Sequence, residues 1–380
     1  MYKDIKYSSL VLFFTLIVPL LTIFVVPKLY TEIELAAYSR SLFLTQIVSA
    51  LISLGLNTIL RRDFYREKLR SEGEFVSLSF FLSLPIFLAT LAFMLISGRV
   101  WLALAVIGFY YFGIISNYLR IRASFGRLSL FEIVFNNVIP VLAMCSAPFL
   151  NIDRFILFSL LIFILGIISL LNFTNNLEYN RGIIYSYLIK IGGKRILHNF
   201  YLLLIVVVNK RSEYFFVGAF LLLGDFAAYN YGYILINFGA IIFARMLLIS
   251  EKYLLEIPLW ITVLTTFGYL ICFTVIMLFV VPELISLVND EYLGFLKYMD
   301  VLLLFFGSNI FIEVFATRYM LYGKEKKVAQ IQAVKSAFLL VLGSLLVENV
   351  LELNSFYYAL VLVNVFLISE LVRVNLKARI

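Results

Sequence analysis

Apolar runs of about 20 residues recur along the whole chain, and a run of that length is what a helix needs to cross the hydrocarbon core of a bilayer. They fall near 8–26, 35–60, 76–96, 100–119, 128–149, 153–172, 197–221, 226–249, 257–281, 299–321, 329–347 and 354–372, which predicts twelve spans. The expected fold class is therefore all-α, a polytopic membrane protein. Composition excludes the alternative of a soluble domain, since 63% of the 380 residues are apolar, among them 38 Phe and 24 Tyr. The two cysteines, Cys145 and Cys272, sit inside apolar runs, where cysteine behaves as a small buried residue, so no disulfide framework or metal site is expected. The opening MYKDIKYSSL leads into an apolar run without a small-residue cleavage pattern, which reads as a retained first span.

Orientation follows from Lys and Arg, which are retained on the cytoplasmic side. With the N-terminus inside, the inner segments hold Lys3 and Lys6, five cations over Arg61–Arg70, Arg120, Arg122 and Arg127, four over Arg181–Arg195, Lys252, four over Arg318–Lys327, and Arg373, Lys377 and Arg379, which is 22 of the 31. The outer segments hold only Lys28, Arg99, Arg154 and Lys297. Both termini are thus expected in the cytoplasm, and the longest outer loop is expected over Val281–Tyr298.

The stretch IVVVNKRSEYFFVGAF, residues 205–220, places Lys210, Arg211 and Glu213 between apolar halves that are each too short to span. One continuous helix over 197–221 is the simpler reading, because a break at Lys210 would invert every later loop and put Arg318–Lys327 outside. A charge at mid-membrane costs on the order of 2.5 to 3.5 kcal/mol on insertion scales and usually faces a wet cavity.

A repeat divides the chain. ELAAYS at Glu34–Ser39 returns as DFAAYN at Asp225–Asn230, an offset of 191. Six spans lie within that offset, which predicts two parallel six-helix bundles, 1–190 and 191–380, around a central cationic cleft. Candidate cleft cations are Arg40, Lys210, Arg211, Arg245 and Lys335; candidate polar lining residues are Gln46 and Asn57 on the second span and Asn230 and Asn237 on the eighth. Ser49 and Ser53 fit ordinary helix packing better. Among the acids, Glu132 lies a turn before Asn136, and Glu313 lies a turn after Asn309 and is the candidate for coupling to H+ or Na+. His198 falls at the inner end of the seventh span. An excess of cations over acids inside the spans suits an anionic ligand such as a diphosphate, whereas cationic drugs would call for an acidic cavity.

No phosphate-cradling glycine loop, metal-ligand spacing or nucleophile elbow is present, so neither an enzyme nor a cofactor is expected. Nucleic acid is not an expected partner, and a monomer is.

The run VPKLYTEIELAAYSRSLFLTQIVSALISLGLNTILRRDF, Val26–Phe64, resembles the opening of the polysaccharide-exporter flippases. Those proteins show a first helix ending near a proline, an acidic-aromatic turn, and a second helix closing on Gly-Leu before a basic inner end. NKRSEYFFVGAFLLLGDFAAYNYGYILINFGAII, Asn209–Ile242, is similar to their seventh and eighth helices, and LYGKEKKVAQIQAVKSAF to their tenth-to-eleventh connection. The resemblance implies a repeat-unit flippase of the multidrug, oligosaccharidyl-lipid and polysaccharide exporter superfamily. Such a protein turns undecaprenyl-diphosphate-linked O-antigen or capsule units from the cytoplasmic to the periplasmic leaflet of a bacterial inner membrane by alternating access. Where members commonly carry an Asp-Arg pair, this chain reads Lys210-Arg211, with Glu213 two residues on. The alternatives are a multidrug antiporter of the same superfamily and, from another class, an O-antigen polymerase or membrane glycosyltransferase; the latter usually carries catalytic groups on large outer loops, which are missing here.

Overall fold

The structure, a computed structural model, describes residues 17–52, 72–121, 125–174, 212–250, 257–321 and 325–377, together with Val11, Phe13, Phe14, Tyr201, Ile205, Val208 and Asn209. The described residues are helical almost throughout. In chain order the helices are α1 (Ile17–Leu29), α2 (Glu32–Ile52), α3 (Glu72–Ile96), α4 (Val100–Ile121), α5 (125–150), α6 (Arg154–Thr174), α7 (212–220), α8 (Leu223–Ser250), α9 (Leu259–Ser286), α10 (Leu296–Leu321), α11 (Glu325–Val347) and α12 (Leu353–Lys377). Eight of them, α4 to α6 and α8 to α12, contain stretches long and apolar enough to cross a membrane.

Proline explains the irregular turns in two helices. The segments Val134–Val138 in α5 and Ile276–Val280 in α9 are π-helical, and each ends two residues before a proline, Pro140 and Pro282. Proline offers no N–H and its ring crowds the carbonyl four residues back, so a widened turn just upstream keeps the helix going. The expected outer loop Val281–Tyr298 is accordingly much shorter than the apolar pattern suggests: α9 runs through Pro282 to Ser286, and after a turn a 3-10 helix, Asp290–Phe295, leads directly into α10.

The C-terminal ends of α3, α5 and α11 stop in one way. Gly98, Asn151 and Asn349 take positive φ of 72°, 53° and 59°, the conformation glycine and asparagine tolerate best. Each gives its N–H to the carbonyl three residues back, and the next residue gives its N–H five residues back. Asn151 and Asn349 stand at corresponding places in the two halves. The helix starts of α2 and α8 differ by 191, the offset of the sequence repeat, and those of α5 and α11 by 200.

The chain forms two compact units. The first comprises Met1–Val18 and Ala37–Val207, the second Pro19–Ala36 and Val208–Ile380. The later part of α1 with the start of α2 belongs to the second unit, although it precedes most of the first unit in the chain. The reason is local: Asn289 Nδ2 donates to the carbonyl of Pro27 (3.2 Å), and the Tyr292 hydroxyl to that of Tyr30 (2.6 Å).

In the first unit, α4 packs closely on α6 through glycine. A Cβ on Gly108 would lie 2.6 Å from the Ile162 carbonyl oxygen, and one on Gly166 would lie 3.1 Å from the Gly108 Cα. Small residues at such crossings let backbones approach in lipid, where apolar surface alone gives helices no reason to associate. Beside it, Tyr110 stacks on Phe87 (4.6 Å) and donates to the Phe80 carbonyl (3.0 Å). In the second unit, Arg318 is a buried residue of α10 rather than a loop cation. Its guanidinium donates to Thr262 Oγ1 (3.1 Å) and the Ile257 carbonyl (2.9 Å), tying the C-terminal end of α10 to the start of α9.

Candidate functional site, a polar interior in the second unit

Five helical segments of the second unit bring polar side chains into one buried interior. Asn209 Nδ2 donates to both the main-chain and the side-chain oxygen of Gln332 on α11 (2.9 and 2.6 Å). One turn along α11, Lys335 donates through Nζ to Asn309 Oδ1 of α10, with the Phe305 ring centred 5.9 Å away. Asn364 of α12 reaches the same place, its Nδ2 donating to Ser308 Oγ (2.8 Å) and Asn309 Oδ1 (3.2 Å). Toward α7 and α8, the Tyr214 hydroxyl donates to Asn230 Oδ1 (2.6 Å), the Tyr233 hydroxyl donates to Glu213 Oε1 (3.2 Å), and the Tyr229 and Tyr357 hydroxyls share a hydrogen bond (2.6 Å).

The placement of Lys335 is decisive. It is ten residues from Glu325 and twelve from Val347, so at 1.5 Å per residue it stands about 15 Å from one end of α11 and about 18 Å from the other. With 6% of its surface exposed it does not reach either interface by extending its side chain. An amide oxygen and an aromatic face are neutral groups that nonetheless favour an ammonium, the first by a charge-assisted hydrogen bond and the second through the ring quadrupole. The side-chain oxygens of Asn209 and Asn364 are buried and find no hydrogen-bond partner among the described residues. The interior therefore offers a fixed cation with two further acceptors on the neighbouring helices.

The structure brings together part of the set expected from sequence. Lys335 and Asn230 belong to this interior, and Asn230 is wholly buried beneath Tyr214. Glu213, noted only as a neighbour of two cations, is buried in it as well. Asn237 and Gln46 are half-buried on α8 and α2, and Arg40 is exposed on α2. Glu313 is exposed on α10, one turn from Asn309 but outside the buried set. Lys210, Arg211, Asn57 and His198 lie outside the described residues, as does the side chain of Arg245. On either side of the Lys-Arg pair, Val208, Asn209 and 212–220 are helical, and the Ser212 hydroxyl donates to the Val208 carbonyl four residues back. Sequence reasoning missed Asn209, Gln332 and Asn364. Asn364 is a solitary amide in an apolar run, and that solitude was the available signal; Asn209 stands beside the Lys-Arg pair and Gln332 beside Gln330, where nothing singles them out.

No family model matches the sequence, and no curated sequence is similar to it. A solved structure does match: a MATE in complex with MaL6 aligns over 99% of this chain and 94% of that one, with a TM-score of 0.60 and 14% identity. The chain has the MATE fold. The likeness runs from end to end, so both compact units belong to the MATE-like architecture and neither is an addition to it. Within the MATE fold the polar interior lies wholly in the second unit.

Proposed function

We propose that the chain is a membrane transporter working by alternating access, and that its substrate is an anionic lipid-linked oligosaccharide. That substrate is an O-antigen or capsule unit on undecaprenyl diphosphate, moved from the cytoplasmic to the periplasmic leaflet of the inner membrane. The observation that carries the reading is Lys335, a cation held at mid-span in the interior of a MATE fold. A diphosphate is the ligand class that rewards a desolvated cation most strongly, through charge-assisted hydrogen bonds. Arg40, Lys210, Arg211 and Arg245 add to the cationic balance on this reading, with Glu313 as the coupling acid, twelve spans, and both termini in the cytoplasm. The multidrug reading keeps one specific support, the likeness to a MATE solved with MaL6.

The test is transport in proteoliposomes containing the purified full chain, comparing a fluorescent lipid-linked oligosaccharide diphosphate with cationic dyes. Movement of the lipid-linked substrate, weakened at least tenfold in Lys210→Ala/Arg211→Ala and stripped of its pH dependence in Glu313→Gln, is the expected result. Dye export with no leaflet exchange of the lipid would replace the flippase reading by the multidrug one.

A further inference from the structure

The start of α2 carries two acids with different fates. Thr31 and Glu34 form a reciprocal cap: Glu34 Oε2 accepts from the Thr31 N–H (3.0 Å) and hydroxyl (3.1 Å), while Thr31 Oγ1 accepts from the Glu34 N–H (3.3 Å). Glu34 is thereby engaged. Glu32, between them, is instead half-buried beneath the segment Leu287–Phe295 that joins α9 to α10. A Cβ added at Gly294 would lie 3.9 and 4.0 Å from its two carboxylate oxygens. The same segment is bonded to the chain just before Glu32, through Asn289 to Pro27 and Tyr292 to Tyr30. Behind it, Tyr231 of α8 is fully buried, its ring edge-on to Tyr292 at 4.7 Å and to Phe295 at 5.8 Å.

Two polar atoms here are sealed from solvent without a hydrogen-bond partner among the described residues, Glu32 Oε1 and the Tyr231 hydroxyl. A buried carboxylate oxygen lacking a donor is costly when charged and much less so when protonated. The charged and titratable groups around it are Glu291 on the 3-10 helix, Tyr231 on α8 and Tyr292. Asp225 and Lys297 nearby neutralise one another at 2.8 Å, and Glu34 is held in the cap.

We propose that Glu32, with Tyr231 and Glu291 around it, is a proton-binding site at the start of α2, and that its protonation fastens the Leu287–Phe295 strap onto the Pro27–Glu32 segment. Burial first, and the like charge of Glu291 second, push the Glu32 carboxyl up from 4.5 to about 7. The folded chain holds this proton more tightly than the unfolded one, so the contribution to stability is full below about pH 4.5, falls as pH rises, and is gone above about pH 7. The strap and the Pro27–Glu32 segment that it grips both belong to the second unit. The inference does not rest on the transport reading and is tested without it.

The experiment is hydrogen exchange of the full chain in nanodiscs across pH 4.5 to 8, corrected for intrinsic exchange rates, reading the amides of Leu287–Phe295 beside those of α12. Protection of the strap is expected to fall at least about tenfold as pH rises from 4.5 to 7 and to level off above that, while α12 stays level. Glu291→Gln is expected to move that midpoint downward, and Glu32→Gln to hold the strap protected throughout. Strap protection that is level with pH in the natural chain overturns the proposal, whatever the variants do. Recovery of protection at pH 8 on adding calcium overturns it too, since a metal cation would then be the ligand.

Discussion

Replacing the two partners at the centre of the polar interior should have unequal effects. Lys335→Met removes the ammonium together with its desolvation, and Asn309 Oδ1 still accepts from Asn364 at 3.2 Å. Asn309→Leu keeps the ammonium buried and takes away an acceptor from both Lys335 and Asn364. A hydrogen bond to a charged group is worth about 1.5–3 kcal/mol and a neutral one about 1. Asn309→Leu should therefore destabilise by roughly 2.5–4 kcal/mol, whereas Lys335→Met, relieved of the desolvation term, should cost about 0–1.5. The difference, about 2 kcal/mol, is some thirtyfold in the unfolding equilibrium. In the double variant the charge that Asn309 served is gone, so the two costs should fall short of additivity by about 1–2 kcal/mol. Reversible denaturant unfolding in mixed micelles gives all four corners of this cycle. Equal costs for the single variants, or strict additivity in the double, would show that Asn309 does not support the Lys335 charge.

Gly108→Ala places its Cβ 2.6 Å from the Ile162 carbonyl oxygen and should cost about 1–3 kcal/mol by overpacking, whereas Gly113→Ala, with nothing within 4 Å, should be neutral or slightly stabilising through helix propensity; thermal melts of both variants check the pair. Reporter fusions at residues 125, 188 and 325 should all signal cytoplasm, and a periplasmic signal at any of them would overturn the orientation taken from the loop charges.

The apolar runs made the helices legible, because a membrane leaves so few ways to satisfy a backbone. Eight of the expected spans coincide with described helices long and apolar enough to cross. Ends were less legible where residues of mixed character continue a helix: α9 runs on through Val281–Ser286, and Asp290–Phe295 looks like loop by composition although its turn is capped by Asn289, whose side chain accepts from the Glu291 N–H. The spacing of side chains in α5 was not legible for another reason. A 3.6-residue period sets Glu132 and Asn136 one turn apart, but Asn136 lies in a π segment with a wider turn. Single-residue chemistry was half legible. Lys335 stood out as a charge in an apolar run, yet Asn309, which accepts from it, and Asn364, which donates to Asn309, come from helices far apart in sequence, and no periodicity predicts which amides will meet.

The strap has a historical consequence. Between α3 and α4 three residues intervene, between α9 and α10 nine, and the offset between corresponding helix starts rises from 191 at α2 and α8 to 196 at α4 and α10. If the halves descend from one duplicated ancestor, the extra length of Leu287–Phe295 was either gained by the later half after duplication or lost from the first. Its side chains then answer to residues in the opening turns, Pro27, Tyr30 and Glu32, that have no counterpart in their own half. Drift in either place is bound to the other, so Asn289, Tyr292 and Glu32 should vary together among descendants of this chain even as the surrounding apolar helices exchange Leu, Ile and Phe freely.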